Sequence, residues 1–189
     1  MREQFLIDVL QAGVSPFHCV EHSQQILEDA GFEEIRYDQI WNLQAGGRYV
    51  LNHHGTTLYA FTVGQDFDAK GMLRMAAAHT DYPCLRIKPN ADFTTNAYAQ
   101  INVEVYGGPI LNTWLDRPLS AAGQVVLRSD DVWHPHVRLV DLKKPFCIIP
   151  NLAIHMNREV NKGVALNRQT ELLPVAGLAG EDVDKEAFL

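Results

Sequence analysis

No stretch of these 189 residues is apolar over the roughly 20 positions that a membrane-spanning helix needs, so no membrane partner is expected. The start lacks the long apolar segment of a secretory leader, and no signal peptide is expected. Lysine and arginine total 16 against 23 acidic residues, for a formal charge of -7, and the basic residues nowhere cluster. This argues against a nucleic-acid partner, since phosphate binding needs a basic stripe. Only three cysteines occur, Cys19, Cys84 and Cys147, odd in number and widely spaced. They form neither a disulfide framework nor a cysteine-based zinc finger, and they fit a reducing compartment as small buried hydrophobes. The expected location is the cytoplasm. No internal repeat or low-complexity segment occurs. What is present is ordinary globular composition, 47% hydrophobic and 21% charged, enough for a core in one domain or two small ones.

One stretch concentrates chemistry. Residues 72–78 form an apolar run that leads directly into His79, Thr80, Asp81, Tyr82 and Pro83. A run this short, flanked by Gly71 and a proline, reads as a buried strand. His79 then sits where that strand leaves the sheet, the edge at which open α/β sheets bind ligands. Asp81, two residues on, is placed to fix one tautomer of the imidazole, as carboxylates beside zinc-bound histidines do. Pro83 is expected to stop the strand. On spacing alone such a pair is more often a surface or turn pair than a metal site.

The flanking chain reads as α/β. Residues 3–12 repeat Phe5, Leu6, Val9 and Leu10 at helical spacing. Ser15 and Pro16 open a second helix as N-cap and first residue, with Gly31 at its end. Residues 32–40 are a short strand or loop. Residues 48–52 and 57–63 read as strands joined by His53-His54-Gly55-Thr56, with Gly55 at positive φ. Residues 93–99 are polar, and then Ile101, Val103 and Val105 alternate with polar neighbours as in a half-buried strand. Short strands are expected at 124–127, 137–139 and 146–148. The texture change puts a boundary near residues 90–95. Residues 181–189 form an acidic tail.

Other candidates carry weaker chemistry. His18 and His22 lie one helical turn apart but lack a third ligand. His53 and His54 fit a solvated hairpin tip. Glu33-Glu34 reads as surface charge and Asp130-Asp131 as a turn. His134-Pro135-His136 brings two imidazoles together without an evident carboxylate partner. Trp114, Asp116 and Arg117 read as structural staples. His155 fits either a hydrogen-bonded residue beside an apolar strand or a functional group.

Five motifs, in order along nearly the whole chain, resemble the M18 family of metallo-aminopeptidases, the aspartyl aminopeptidase group. They are Ser15-Pro16-Phe17-His18; Gly46-Gly47-Arg48-Tyr49; Ala78-His79-Thr80-Asp81-Tyr82-Pro83-Cys84-Leu85, with Tyr82 where the family has Ser; Tyr106-Gly107-Gly108 with Trp114, Asp116-Arg117-Pro118-Leu119-Ser120 and Ala122-Gly123; and Pro150-Asn151-Leu152-Ala153-Ile154-His155. The resemblance implies the start of a zinc-aminopeptidase α/β catalytic domain, residues 1–92. Part of an inserted β-rich dimerisation domain, residues 93–189, follows. It implies two zinc ions per active site, peptide substrates trimmed from a free and perhaps acidic N-terminus, and a homo-oligomer built of dimers. His79 is then a zinc ligand, Asp81 its orienting catalytic partner, and His155 a substrate contact in the neighbouring subunit's site. The family's remaining ligands and general base match nothing in this chain. The alternative is a catalytically inactive fragment or pseudoenzyme serving as an assembly or binding module.

Overall fold

The computed structural model describes residues 2–178 except 69 and 164; the acidic tail lies outside the described residues. In chain order the elements are α1 (Arg2–Ala12), α2 (Pro16–Asp29), β1 (Glu33–Glu34), β2 (Arg48–His53), β3 (Thr57–Thr62), β4 (Cys84–Thr95), β5 (Tyr98–Tyr106), β6 (Ala122–Leu127), β7 (His136–Asp141) and β8 (Val175–Leu178). They fall into two compact units. The first runs to Tyr82 and resumes for Ala122–Asp141. The second holds Pro83–Ala121 and the described residues from Leu142 onward. The boundary expected between 92 and 93 falls inside β4.

In the first unit α2 begins and ends as its sequence dictates. Ser15 is buried, and its Oγ accepts from the His18 N–H at 3.4 Å, which satisfies an orphan donor of the first turn. At the other end Gly31 takes φ +84. Its N–H bonds the Glu28 carbonyl, and the Phe32 N–H reaches back to Leu27. That pair is a Schellman closure, and it uses the one residue type that enters the left-handed region without steric cost. β2 and β3 form a hairpin in register from Arg48↔Thr62 to His53↔Thr57, with β1 parallel to β2 on the far edge. Tyr49 and Leu51 of β2 are buried with Ile35 and packed by Phe61 and Val63. A second hairpin, β6–β7, pairs Ala122↔Asp141 through Leu127↔His136.

The second unit is built on β4–β5–β8. β4 and β5 form a long antiparallel hairpin that slips register between Ile87 and Asp92. Ala91, Ile101 and Val103 are buried with Leu173, while Val105 packs with Ile149 and Leu172. The alternation of Ile101, Val103 and Val105 thus points to the core as its period of two requires.

Three expectations are corrected, while α1 forms where it was expected. Residues 72–78 are not a strand; the segment is irregular, with Met72 fully exposed, Leu73 80% and Met75 86% exposed. A strand exists only through its ladder, and no described strand pairs with this run. Pro83 does not stop a strand; the segment straight after it is β4, which continues through the polar residues 93–95. A proline is tolerated just before a strand, where no ladder donor is lost. Residues 146–148 make only isolated bridges, Leu119↔Cys147 and Ile148↔Val175. The apolar face of α1 is largely exposed, Phe5 55% and Leu10 69%.

Candidate functional site

His79 is shaped by its immediate neighbours. Its Nδ1 lies 2.7 Å from the main-chain oxygen of Asp81 and 2.8 Å from Asp81 Oδ1. A carbonyl oxygen only accepts, so Nδ1 carries the proton and donates to both. In the neutral ring the lone pair then sits on Nε2, the nitrogen free to bind a metal. Asp81 raises the pKa of His79 above its ordinary value, first through the main-chain oxygen and then through the carboxylate. The His79 side chain is 83% exposed, and that of Asp81 is 29% exposed.

Two flanking hydroxyls hold the segment. Thr80 Oγ1 donates to the Thr56 carbonyl in the β2–β3 turn at 3.0 Å. Tyr82 Oη donates to the Gly13 carbonyl, between α1 and α2, at 2.7 Å. Tyr82, the one departure from the family's residue in this motif, therefore has a structural task that a serine hydroxyl is too short to reach in the same way. Local pairing fixes His79, and these two contacts fix its segment without the expected strand.

The turn Gly46-Gly47-Arg48-Tyr49 is shaped by its tyrosine. A side chain at Gly47 would run into the Tyr49 ring, with ring carbons at 2.6 Å from its first carbon. The Tyr49 hydroxyl accepts from the Gln44 N–H at 2.7 Å.

The other histidines are placed differently from one another. His18 Nδ1 is 2.7 Å from Ser15 Oγ, so it joins the helix cap. His53 is not a solvated tip residue. It packs edge-on to Tyr37 at 5.1 Å and against His54 at 4.2 Å, and its Nδ1 is buried without a partner. His134 does have a carboxylate partner, contrary to expectation: its Nδ1 lies 2.7 Å from Asp131 Oδ2. Asp131 Oδ1 also accepts from the N–H groups of Trp133 and His134, closing the expected turn. The spacing of three that permits this pairing was available in the sequence. Glu33 and Glu34 are exposed as expected, on β1.

His155 does not stand beside an apolar strand. It is exposed in the turn 154–156, where Ala153 O accepts from the N–H groups of Met156 and Asn157. Behind that turn, Asp116 Oδ1 accepts from the Asn151 N–H at 2.9 Å, a link between two motifs that sequence reasoning missed. Nothing in the spacing of Asp116 and Asn151 signals it.

Among the described residues, no three histidine, cysteine, aspartate or glutamate side chains come together as a metal site. His79 fits one zinc ligand, with its tautomer set and Nε2 presented, and the described residues near it do not complete a coordination sphere. An open cleft of about 380 Å³ in the first unit is lined by Phe17, Glu21, Gln24, Asn52, Gln124 and Leu139, among others, and by no residue of the His79 segment.

Comparison with known proteins adds the wider context. The family model for the aminopeptidase I zinc metalloproteases (M18) matches residues 9–187. The "Probable M18 family aminopeptidase 2" of Clostridium acetobutylicum is 44% identical over 185 residues, covering 97% of this chain and 43% of that protein. The structure of Chaetomium thermophilum mApe1 is similar at 32% identity and a TM-score of 0.82, over 96% of this chain and 41% of that one. The Saccharomyces cerevisiae mApe1 dodecamer shares the fold at 24% identity and a TM-score of 0.67, over 91% of this chain and 47% of that one. The chain thus spans less than half the length of the relatives it matches.

Proposed function

The chain belongs to the M18 family of zinc metallo-aminopeptidases, and from that premise we propose that it contributes to a cytoplasmic enzyme that removes residues, acidic ones among them, from the free N-terminus of peptides. Residues 1–92 serve as the opening part of the catalytic domain and residues 93–189 as part of an inserted dimerisation domain. His79 holds zinc through Nε2, and Asp81 keeps its ring oriented and its tautomer fixed. Zinc, two ions per active site, supplies a polarised scissile carbonyl and a water acidified to a pKa of about 7. His155, exposed in its turn, contacts substrate in the neighbouring subunit's site, so the active form is a homo-oligomer of dimers. The dodecamer named for the yeast neighbour supports that assembly.

The observation that carries the proposal is the His79–Asp81 pair at 2.8 Å, inside a chain that the family model matches over residues 9–187. The test is peptidase activity of the full-length protein on matched peptides with free and acetylated N-termini, before and after chelation. Cleavage confined to free N-termini, lost on chelation and restored by zinc, is expected. Equal cleavage of acetylated peptides would overturn the reading.

A second reading, an inactive assembly module, draws on the lack of three converging ligands among the described residues. On this reading the 189-residue chain by itself is inactive and holds no two zinc ions tightly. Metal analysis after dialysis decides it: two retained equivalents of zinc would sink it.

A further inference from the structure

Asp116 occupies a conformation that a non-glycine residue rarely adopts, φ +56. It is exposed, so burial does not explain it. Its contacts do. The main-chain N–H of Asp116 donates to the Ile149 carbonyl at 2.8 Å, beside a parallel bridge between Leu115 and Ile149. Ile149 is 1% exposed and packed among Val105 and Leu172, so this end is anchored in the core of the second unit. The other end is the carboxylate, which accepts from the Asn151 N–H at 2.9 Å. Asn151 in turn uses its own Oδ1 to accept from the Leu152 N–H at 2.9 Å. The Ala153 carbonyl then takes the N–H groups of Met156 and Asn157, which closes the turn around His155.

We infer that Asp116 is a positioning residue for the His155 segment. Its left-handed backbone lets one residue grip both the buried Ile149 and the exposed Asn151. The chain beyond Pro150 leaves the core in one direction as a result, and His155 is delivered at a fixed place. An acceptor of full negative charge makes the Asn151 bond stronger than a neutral one. The link to function rests on the proposed role of His155 in a neighbour's site; the link to the loop does not.

Three variants separate the two features of Asp116. Asp116→Asn keeps a side-chain oxygen at the same position and tolerates the left-handed region. Asp116→Gly keeps the backbone conformation at no steric cost and loses the acceptor. Asp116→Ala loses both. Amide hydrogen exchange of the full-length protein reads the loop directly. Exchange at Asn151 and Leu152 should be roughly 10- to 100-fold faster in Asp116→Gly, the range set by loss of one bond to a charged acceptor. It should be largely restored in Asp116→Asn. Unchanged protection in the glycine variant would overturn the inference.

Kinetics reads the consequence. The glycine variant should raise KM for peptide with a smaller change in kcat, and the asparagine variant should recover it. In a His155→Ala background the glycine substitution should add nothing further, since residues acting through one another are not additive. An asparagine variant with normal exchange at Asn151 but a KM as impaired as the glycine one would make the charge itself the active feature and overturn the positioning role. An unaltered KM in His155→Ala, with exchange at Asn151 still accelerated by Asp116→Gly, would sink the neighbour-site reading and leave the loop assignment standing.

Discussion

His79 meets its partner two residues along the chain, whereas the root of the His155 segment is set by a residue 35 positions back. The first arrangement is carried by a short motif and needs little of the fold around it. Both flanking hydroxyls, Thr80 and Tyr82, stabilise the segment's path, but the imidazole–carboxylate bond itself is local. The second arrangement exists only after β5, the 115–119 segment and residues 146–149 have packed around Ile149. A histidine can thus be fixed by its neighbours in sequence or by the core beneath it, and the two should fail in different ways.

The largest effect should come from His79→Ala in the full-length enzyme. With His79 in the proposed ligand role, its removal should abolish nearly all peptidase activity, because the metal's several kcal/mol of charge stabilisation would go with it. Wild-type turnover would take His79 out of the site. Next in size is Ile149→Ala. It removes a side chain 1% exposed and should cost about 2–5 kcal/mol in a denaturant melt. The signature that sharpens the contrast is NMR of the two rings: His155 should shift and His79 should not. Equal disturbance at both would break the distinction.

Asp81→Asn should be milder, a loss of about 10- to 100-fold in zinc affinity or activity, with more metal retained than in His79→Ala. The smallest effect tests whether a local histidine–carboxylate pair is enough to make a metal ligand. His134 and Asp131 repeat the His79–Asp81 pairing on the β6–β7 loop at 2.7 Å. His134 lowers the Asp131 pKa below the ordinary carboxylate value, followed by the Trp133 N–H. A depressed carboxylate stabilises the fold above its unfolded pKa and loses that contribution as pH falls through its folded pKa. His134→Ala should therefore move the Asp131 titration upward by NMR and leave zinc content and turnover unchanged. A loss of zinc in that variant would assign His134 to a metal site.

Legibility followed the range of the contact. The cap of α2 could be read from Ser15, Pro16 and Gly31, since each acts within a few residues of itself. The β2–β3 turn could be read from Gly55, and the inward face of β5 from Ile101, Val103 and Val105. Residues 72–78 misled because apolarity shows a need for cover and not the presence of a ladder partner. β4 was hidden because its second half is polar and its strand character comes from pairing with β5. The His134–Asp131 bond spans three residues and was equally within reach of the sequence.

By itself the sequence determined the α/β class, the helix ends, the hairpin turn and the His79–Asp81 pair, because hydrogen bonds between near neighbours cost little chain entropy to close. Only the tertiary structure decided where the compact units part, which apolar runs are covered, and that Asp116 holds Asn151. Those depend on bringing distant segments together, and the core around Ile149 and Leu172 supplies the burial energy that local chemistry cannot.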